Sequence, residues 1–187
     1  ADMTHAAAAT LLANRSTVDD AAFAVFIAAN LVAMLALLPL AGLVLANAYF
    51  VAAEFALVGA RRTRLDEMVL AGDRKAALAR RAVRSLDRYI SATQLGITMA
   101  SLGLGWIGKP ALAGLLDGLF AFLPETAAVW TTHAVSAATA FAIITALHIV
   151  LGELVPKSLA LLYPEDVSRW VAGPLIGTNV VLGLVPA

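Results

Sequence analysis

The chain has 187 residues and a formal net charge of zero, with 61% hydrophobic and 14% charged residues. Soluble domains typically carry about 25% charged residues, so this chain is short of charge for its length. A balanced net charge gives no general attraction to nucleic acid, and the lack of cysteine excludes disulfides and thiolate metal sites. The composition therefore favours a membrane protein that does not bind nucleic acid.

The charges are also unevenly distributed along the chain. Nine of the 13 lysines and arginines lie between Arg61 and Arg88, which leaves long stretches nearly free of charge. Such stretches are long enough to cross a hydrocarbon core, since a helical span needs about 20 apolar residues. Residues 1–20 lack the basic start of a signal peptide. We therefore predict a polar tail over 1–20 and a membrane domain over 21–187.

The first apolar run extends from Ala21 to Ala60 and contains Pro39, Asn47 and Glu54. As one helix it would be about 60 Å long, twice the thickness of a bilayer core. We place the first span at about 34–58. Glu54 has two open interpretations, because it can serve an ion site or pair with the arginines that follow it at the membrane interface.

A basic region follows at residues 61–88, with apolar residues at helical spacing and Gly72 between two predicted helices. It is either a solvated helix pair or a pair whose first arginines, Arg61, Arg62 and Arg64, face lipid headgroups. Nine cations in a short loop place that loop in the cytoplasm. Three spans then put the N-terminus outside and the C-terminus inside.

The second span, at about 89–107, is rich in glycine and in side chains that carry oxygen. Gly96 lies among Gln94, Thr98 and Ser101. Small and hydroxyl residues allow helices to pack closely and to hydrogen-bond across the contact, which is one explanation of the pattern. The other is that these oxygens line a polar cavity.

The third apolar run carries His148, Glu153 and Lys157, with Gly152 and Pro156 beside them. An ionisable residue inside a span costs roughly 2.5–3.5 kcal/mol on insertion scales, so such residues usually serve a function. A proline also removes a backbone donor and frees a carbonyl. Carboxylates and carbonyls are ligands that Mg²⁺ accepts.

We place this third span at about 127–151 and interpret the residues after Ser158 as interfacial segments. Two alternatives stay open for the ionisable groups. Lys157 can neutralise Glu153 in an internal ion pair without a metal, and His148 can be a core imidazole satisfied by a serine or a carbonyl.

Three motifs resemble the transmembrane domain of the CNNM/CorC family, above all its bacterial members described as hemolysin-like or magnesium-efflux proteins. They are NAYFVAAEFALV at 47–58, ISATQLGITMASLGLGWIGKPA at 90–111 and HIVLGELVPKSLAL at 148–161. The resemblance covers about residues 34–187. It implies an all-α membrane protein with three transmembrane helices, cytoplasmic juxtamembrane helices and a C-terminal interfacial segment, working as a homodimer in the bacterial inner membrane.

The same resemblance implies a transporter that exports Mg²⁺, with Na⁺ entry as a candidate driving force, and no enzyme activity or organic cofactor. The family's metal-binding glutamate matches Glu153. The family's cytoplasmic CBS pair has no counterpart here, so we expect this chain to be the isolated membrane domain. The alternative is a membrane anchor or Mg²⁺ sensor that moves no ion. A pore-forming toxin is poorly supported, because the spans are typical of a resident membrane protein.

The sequence departs from the family pattern at the expected ligands. Val51 and Ala53 stand where many relatives have serine, and Ile97 stands where some have asparagine, so that only Ser101 remains polar. We therefore expect neighbouring oxygens to complete the metal site, and four further groups to balance charge or to gate. The ligand set is Glu153, Ser101, Gln94, Thr98 and carbonyls near Gly96 and Gly152; the charge-balance and gating set is Glu54, Pro156, Lys157 and His148.

Overall fold

The computed structural model describes residues 37–108 and 129–181, with Ala24, Ile27, Leu31, Leu35 and Leu112 as isolated positions. The chain divides into a unit Ala1–Leu38 and a unit Pro39–Ala187, and the buried core lies in the second unit. The predicted tail 1–20 lies outside the described residues.

Three helices are long and apolar enough to cross a membrane, over Leu37–Gly59, Leu86–Gly108 and Ala137–Leu162. The first is α1. The second consists of α4, Leu86–Gly103, and a π-helical segment, Leu104–Gly108. The described elements are all helical, which confirms the all-α fold with three candidate spans.

The third apolar helix is built from α5, Val129–Leu147, a π-helical segment, His148–Leu154, and α6, Val155–Leu162. The sequence predicts an end near residue 151, whereas the helix continues through Pro156 to Leu162. Glu153 and Lys157 lower the local hydropathy and so shorten the predicted span. The backbone nevertheless stays helical, because the π segment changes the hydrogen-bond register before the proline.

The basic region forms two helices, α2 over Arg62–Leu70 and α3 over Arg74–Arg84. Gly72 lies between them with a φ of 92°, a left-handed conformation that favours glycine. Asp73 then caps α3, since its side chain accepts hydrogen bonds from the backbone N–H groups of Lys75 and Ala76.

The C-terminal segment forms one helix, α7, over Pro164–Val181, with Pro174 inside it. It packs on α3, and α3 packs on α2. We call α2, α3, α7, the end of α1 and Tyr89 at the start of α4 the loop-side bundle. Alanines on α3 and α7 let the helices approach closely. The buried core of the loop-side bundle consists of Ala53, Leu57, Ala60, Leu65, Ala76, Ala79, Ala82, Val83, Tyr89, Val171, Ala172 and Leu175.

Candidate functional site

The backbone next to Pro156 departs from regular α-helical hydrogen bonding. In an α-helix the N–H of residue 156 would bond the carbonyl four residues earlier, that of Gly152, but proline has no N–H. The helix responds with π-type bonding, in which the Val155 N–H donates to the Val150 carbonyl five residues back. Pi segments are frequent at functional sites because they expose backbone groups within a continuous helix.

The side chain of Asn47 supplies a donor to that carbonyl. Its Nδ2 donates to the Gly152 carbonyl at 2.9 Å, across 105 residues of sequence, and Asn47 is only 2% exposed. A Cβ added at Gly152 would lie 2.9 Å from Cδ2 of His148 and 3.2 Å from Nδ2 of Asn47. Glycine at 152 is therefore what lets α1 approach the third apolar helix closely enough for this bond.

Ser101 of α4 joins the same group of residues. Its Oγ lies 3.4 Å from Oδ1 of Asn47, to which it donates, and 3.4 Å from Nε2 of His148. We call Asn47, Ser101, His148 and Gly152 the polar cluster. All three candidate spans contribute to it. Both contacts of Ser101 are longer than the usual 2.7–2.8 Å of a hydroxyl hydrogen bond, which makes them weak and easily exchanged.

Glu153 directly follows the polar cluster. Its side chain is exposed on the single chain, and it makes no hydrogen bond or ion pair to another described residue. The ammonium group of Lys157 lies 4.5 Å above the ring of Phe55, a cation–π contact, rather than against this carboxylate. The internal ion pair between Glu153 and Lys157 is therefore not formed, and the carboxylate is available to a ligand.

The remaining predicted ligands lie away from the polar cluster. Gln94 and Thr98 are exposed on α4, and the Thr98 hydroxyl donates to the Gln94 carbonyl at 2.8 Å. Gly96 serves helix packing, because a Cβ there would lie 2.6 Å from the Phe50 ring of α1. The structure thus brings together Ser101, Gly152 and His148. It leaves Gln94 and Thr98 on the surface and Gly96 in a packing contact.

The residues at the membrane-proximal start of the basic region are largely paired within the loop-side bundle. Arg61 forms an ion pair with Glu165 at 2.9 Å, and Arg64 pairs with Glu67 at 2.7 Å. Arg62 donates to the Val83 carbonyl at 3.5 Å. None of these arginines pairs with Glu54 among the residues that the structure describes, and contact of the three with lipid stays a prediction.

Two carboxylates, those of Glu165 and Asp73, form ion pairs between α7 and the basic region. Burial raises the pKa of Glu165, but hydrogen bonds from Arg61 and from backbone N–H groups outweigh it, so the pKa lies below its usual value. The backbone hydrogen bond from Ala76 is the largest influence that lowers the pKa of Asp73, and Arg169, at 2.6 Å, lowers it further.

The described residues contain no group of three or more histidine and acidic side chains placed to hold a metal. A site at the polar cluster would therefore combine one carboxylate, from Glu153, with neutral oxygens from side chains and backbone. Such a donor set suits a hard cation that keeps some of its water.

Asn47 is the cluster residue that the predicted ligand set omitted. An amide within an apolar run was a usable signal, because a buried polar side chain in a span nearly always has a partner. Its partner was not readable from the sequence, since the contact joins residues 105 positions apart.

Comparison with known proteins gives consistent matches over most of the chain. Residues 38–186 match the family model described as the Cyclin M transmembrane N-terminal domain, CNNM. The UPF0053 protein YhdT of Bacillus subtilis (strain 168) is 47% identical over 135 residues, which are 71% of this chain and 28% of YhdT. The UPF0053 protein YugS of the same strain is 44% identical over 132 residues, 70% of this chain and 30% of YugS. The chain spans less than a third of the length of these two curated relatives.

Proposed function

Since the chain belongs to the CNNM family, that of the Cyclin M transmembrane N-terminal domain, we propose that it is the membrane domain of a Mg²⁺ transporter that exports the ion. The observation that carries this proposal is the polar cluster. There, three apolar helices meet around the Gly152 carbonyl, and the next residue, Glu153, carries a carboxylate that has no partner among the described residues.

In this proposal Glu153 is the anionic ligand of the transported ion. The hydroxyl of Ser101 and the amide oxygen of Asn47 add neutral oxygen ligands for the ion. The Gly152 carbonyl accepts a hydrogen bond from Asn47 with one lone pair and can bind the ion with the other. Mg²⁺ prefers six oxygens at about 2.0–2.1 Å and usually keeps several waters. One carboxylate and a few neutral oxygens therefore suit a partly hydrated ion, which is held loosely enough to be released.

The release step follows from the same geometry. The π segment and Pro156 make the third apolar helix locally adaptable, and the two 3.4 Å contacts of Ser101 are weak enough to break when the helices shift. Bending there would open the site to one side of the membrane at a time. Lys157, four residues after Glu153, can approach the carboxylate and balance its charge once the ion has left.

We orient the domain by its basic helices. The cation-rich residues 61–88 lie in the cytoplasm of a bacterial cell, which puts the N-terminus outside the inner membrane and the C-terminus inside. Na⁺ entry as the driving force, a homodimer and a CBS pair in the full-length protein stay predictions.

A thermal-shift titration tests the site. A ligand that binds only the folded state stabilises it by RT ln(1 + [L]/Kd), so Mg²⁺ should raise the unfolding temperature in detergent. Glu153→Gln should abolish that rise. Glu67→Gln is the control, because Glu67 is a carboxylate that lies outside the candidate spans, in an exposed ion pair with Arg64. Undiminished Mg²⁺ protection in Glu153→Gln would exclude this site.

Flux separates the transporter from the sensor. Proteoliposomes containing the chain should move Mg²⁺, and Glu153→Gln should stop the movement. A wild-type chain that shows Mg²⁺-dependent stabilisation but no flux would instead favour the sensor or membrane anchor.

A further inference from the structure

One face of α4 carries a continuous row of polar side chains through an otherwise apolar helix. Its members are spaced by four, three, four and three residues, the interval that keeps side chains on one side of an α-helix. The first four are exposed and the last is half-buried. We call this row the polar stripe, and it consists of Asp87, Ser91, Gln94, Thr98 and Ser101.

The adjoining exposed face of the same helix is apolar. Met99, Leu102 and Trp106 are exposed there, Met99 to 63% and Trp106 to 84%. The exposed surface of α4 is therefore sorted into one face that suits lipid and one that does not. A surface turned wholly to lipid has no physical reason to be sorted in this way, since every polar group in hydrocarbon costs free energy.

The hydrogen bonds of the stripe point to water as its neighbour. The hydroxyls of Ser91 and Thr98 donate to backbone carbonyls of their own helix, which leaves their oxygens free to accept. The side-chain amide of Gln94 has no hydrogen-bond partner among the described residues. An amide that can donate and accept at once costs most in a dry environment, so it favours a wet one.

The two ends of the stripe give it a direction. At one end an open cleft of about 370 Å³ is lined by Asp87, Arg88, Ser91, Ala92 and Leu95. At the other end Ser101 contacts Asn47 and His148. A row of oxygens thus connects an open mouth that carries a carboxylate with the buried polar cluster.

We propose that the polar stripe lines a water-filled route along which a hydrated divalent cation passes between the cleft at Asp87 and the polar cluster. The identity of the ion rests on the proposed function, whereas the existence of the route does not. Asp87 attracts the cation at the mouth, and the hydroxyl and amide oxygens accept hydrogen bonds from its water shell.

Single cysteines test the route directly, because the chain contains no cysteine of its own. Ser91→Cys and Thr98→Cys place a thiol on the stripe. Met99→Cys and Leu102→Cys place one on the apolar face of the same helix, each within four residues of a stripe position. The chain is reconstituted in liposomes and treated with a small, cationic, membrane-impermeant methanethiosulfonate.

The stripe thiols should react at least about tenfold faster than the apolar-face thiols, because the reactive thiolate forms in water and not in hydrocarbon. Equal rates on the two faces would overturn the proposal. So would oxidative disulfide formation between copies at Ser91→Cys or Thr98→Cys together with protection from the reagent, since a second copy would then cover the stripe.

The charge of the mouth gives a second test. Asp87→Asn should lower the ratio of cationic to anionic reagent rates at Thr98→Cys by about two- to fivefold, the effect of one partly screened charge. An unchanged ratio of the two reagent rates would show that Asp87 does not attract cations to the route. Fast reaction of the stripe thiols in a chain that shows no Mg²⁺ flux would support the route and reject the proposed function. Mg²⁺ flux in a chain whose stripe thiols do not react would support the proposed function and reject the route.

Discussion

The loop-side bundle and the polar cluster hold helices together with different interactions. In the loop-side bundle, alanines and leucines fill the contact, and several charged groups are paired at short range, as in Arg169 with Asp73 at 2.6 Å and Arg61 with Glu165 at 2.9 Å. In the polar cluster the contacts join an amide, a hydroxyl, an imidazole and a backbone carbonyl, the two contacts of Ser101 are 3.4 Å long, and the Glu153 carboxylate has no partner among the described residues.

This difference indicates that the loop-side bundle stabilises the fold, whereas the hydrogen bonds of the polar cluster can be exchanged for bonds to a ligand. Short ion pairs above an apolar core fix α7 against the basic helices and leave few donors or acceptors for a ligand. The long contacts of Ser101 are easily replaced, and the Glu153 carboxylate, which has no partner among the described residues, gains from binding a cation. Single substitutions can change one region and leave the other intact.

The largest effect is expected from the core of the loop-side bundle. Leu175 is 0% exposed, so Leu175→Ala should lower the free energy of unfolding by about 2–5 kcal/mol through lost burial and a cavity. Leu70→Ala removes the same atoms from a leucine that is 89% exposed and should cost less than about 0.5 kcal/mol. Denaturant unfolding in detergent compares them, and similar losses would contradict the packing of α7.

A moderate effect is expected in the polar cluster. Asn47→Ala removes the donor to the Gly152 carbonyl and should cost about 1–3 kcal/mol of stability. In a double-mutant cycle with Ser101→Ala, the coupling energy should be about 0.6–1.7 kcal/mol, the range for hydrogen bonds between membrane helices. A cycle of Asn47→Ala with Thr98→Ala is the control, and equal coupling in the two cycles would mean that Ser101 and Asn47 do not interact.

The loop-side bundle should lose stability in acid. The pKa values of Asp73 and Glu165 lie below their usual 3.8 and 4.5, so the unfolded chain binds protons at a higher pH than the folded chain does. Their contribution is complete above those usual values and is lost as the pH falls through the lower folded ones. Asp73→Asn keeps a capping side chain without the charge and should flatten this dependence, as acid titration of unfolding can measure. An unchanged slope would contradict the role of Asp73.

The smallest effect is expected at an exposed ion pair. Arg64 and Glu67 are 2.7 Å apart, but both are largely exposed, so solvent and side-chain entropy offset most of the attraction. Arg64→Ala should change the stability by less than about 0.5 kcal/mol in the same unfolding measurement. A larger loss would show that the loop-side bundle depends on its surface charges as well as on its core.

The three spans were predictable because an apolar run without charges has few alternatives to a membrane helix. The continuation of the third helix beyond residue 151 was not, since Glu153 and Lys157 lower the local hydropathy while the backbone continues through the π segment. Pro156 did indicate a freed carbonyl. The hydrogen bond from Asn47 to this carbonyl joins two different helices. It depends on long-range packing, which sequence periodicity does not predict.

The predicted ligands show the same limit. Gln94, Thr98 and Ser101 have similar chemistry and share one face of α4, so nothing in the sequence pattern separates them. Their burial in the folded chain distinguishes them, because Ser101 contacts Asn47 and His148 while Gln94 and Thr98 are exposed. The docking of α7 on α3 was likewise hidden, since Asp73 and Arg169 are far apart in the chain.

The most direct test of the metal site is an experimental structure of the chain with Mn²⁺, which uses the same oxygen ligands as Mg²⁺ and gives an anomalous signal. We predict a peak bonded to a carboxylate oxygen of Glu153 at roughly 2.0–2.3 Å, next to the Gly152 carbonyl and Ser101. A peak elsewhere in the membrane domain, or an equally strong one after Glu153→Gln, would contradict the assignment of this site.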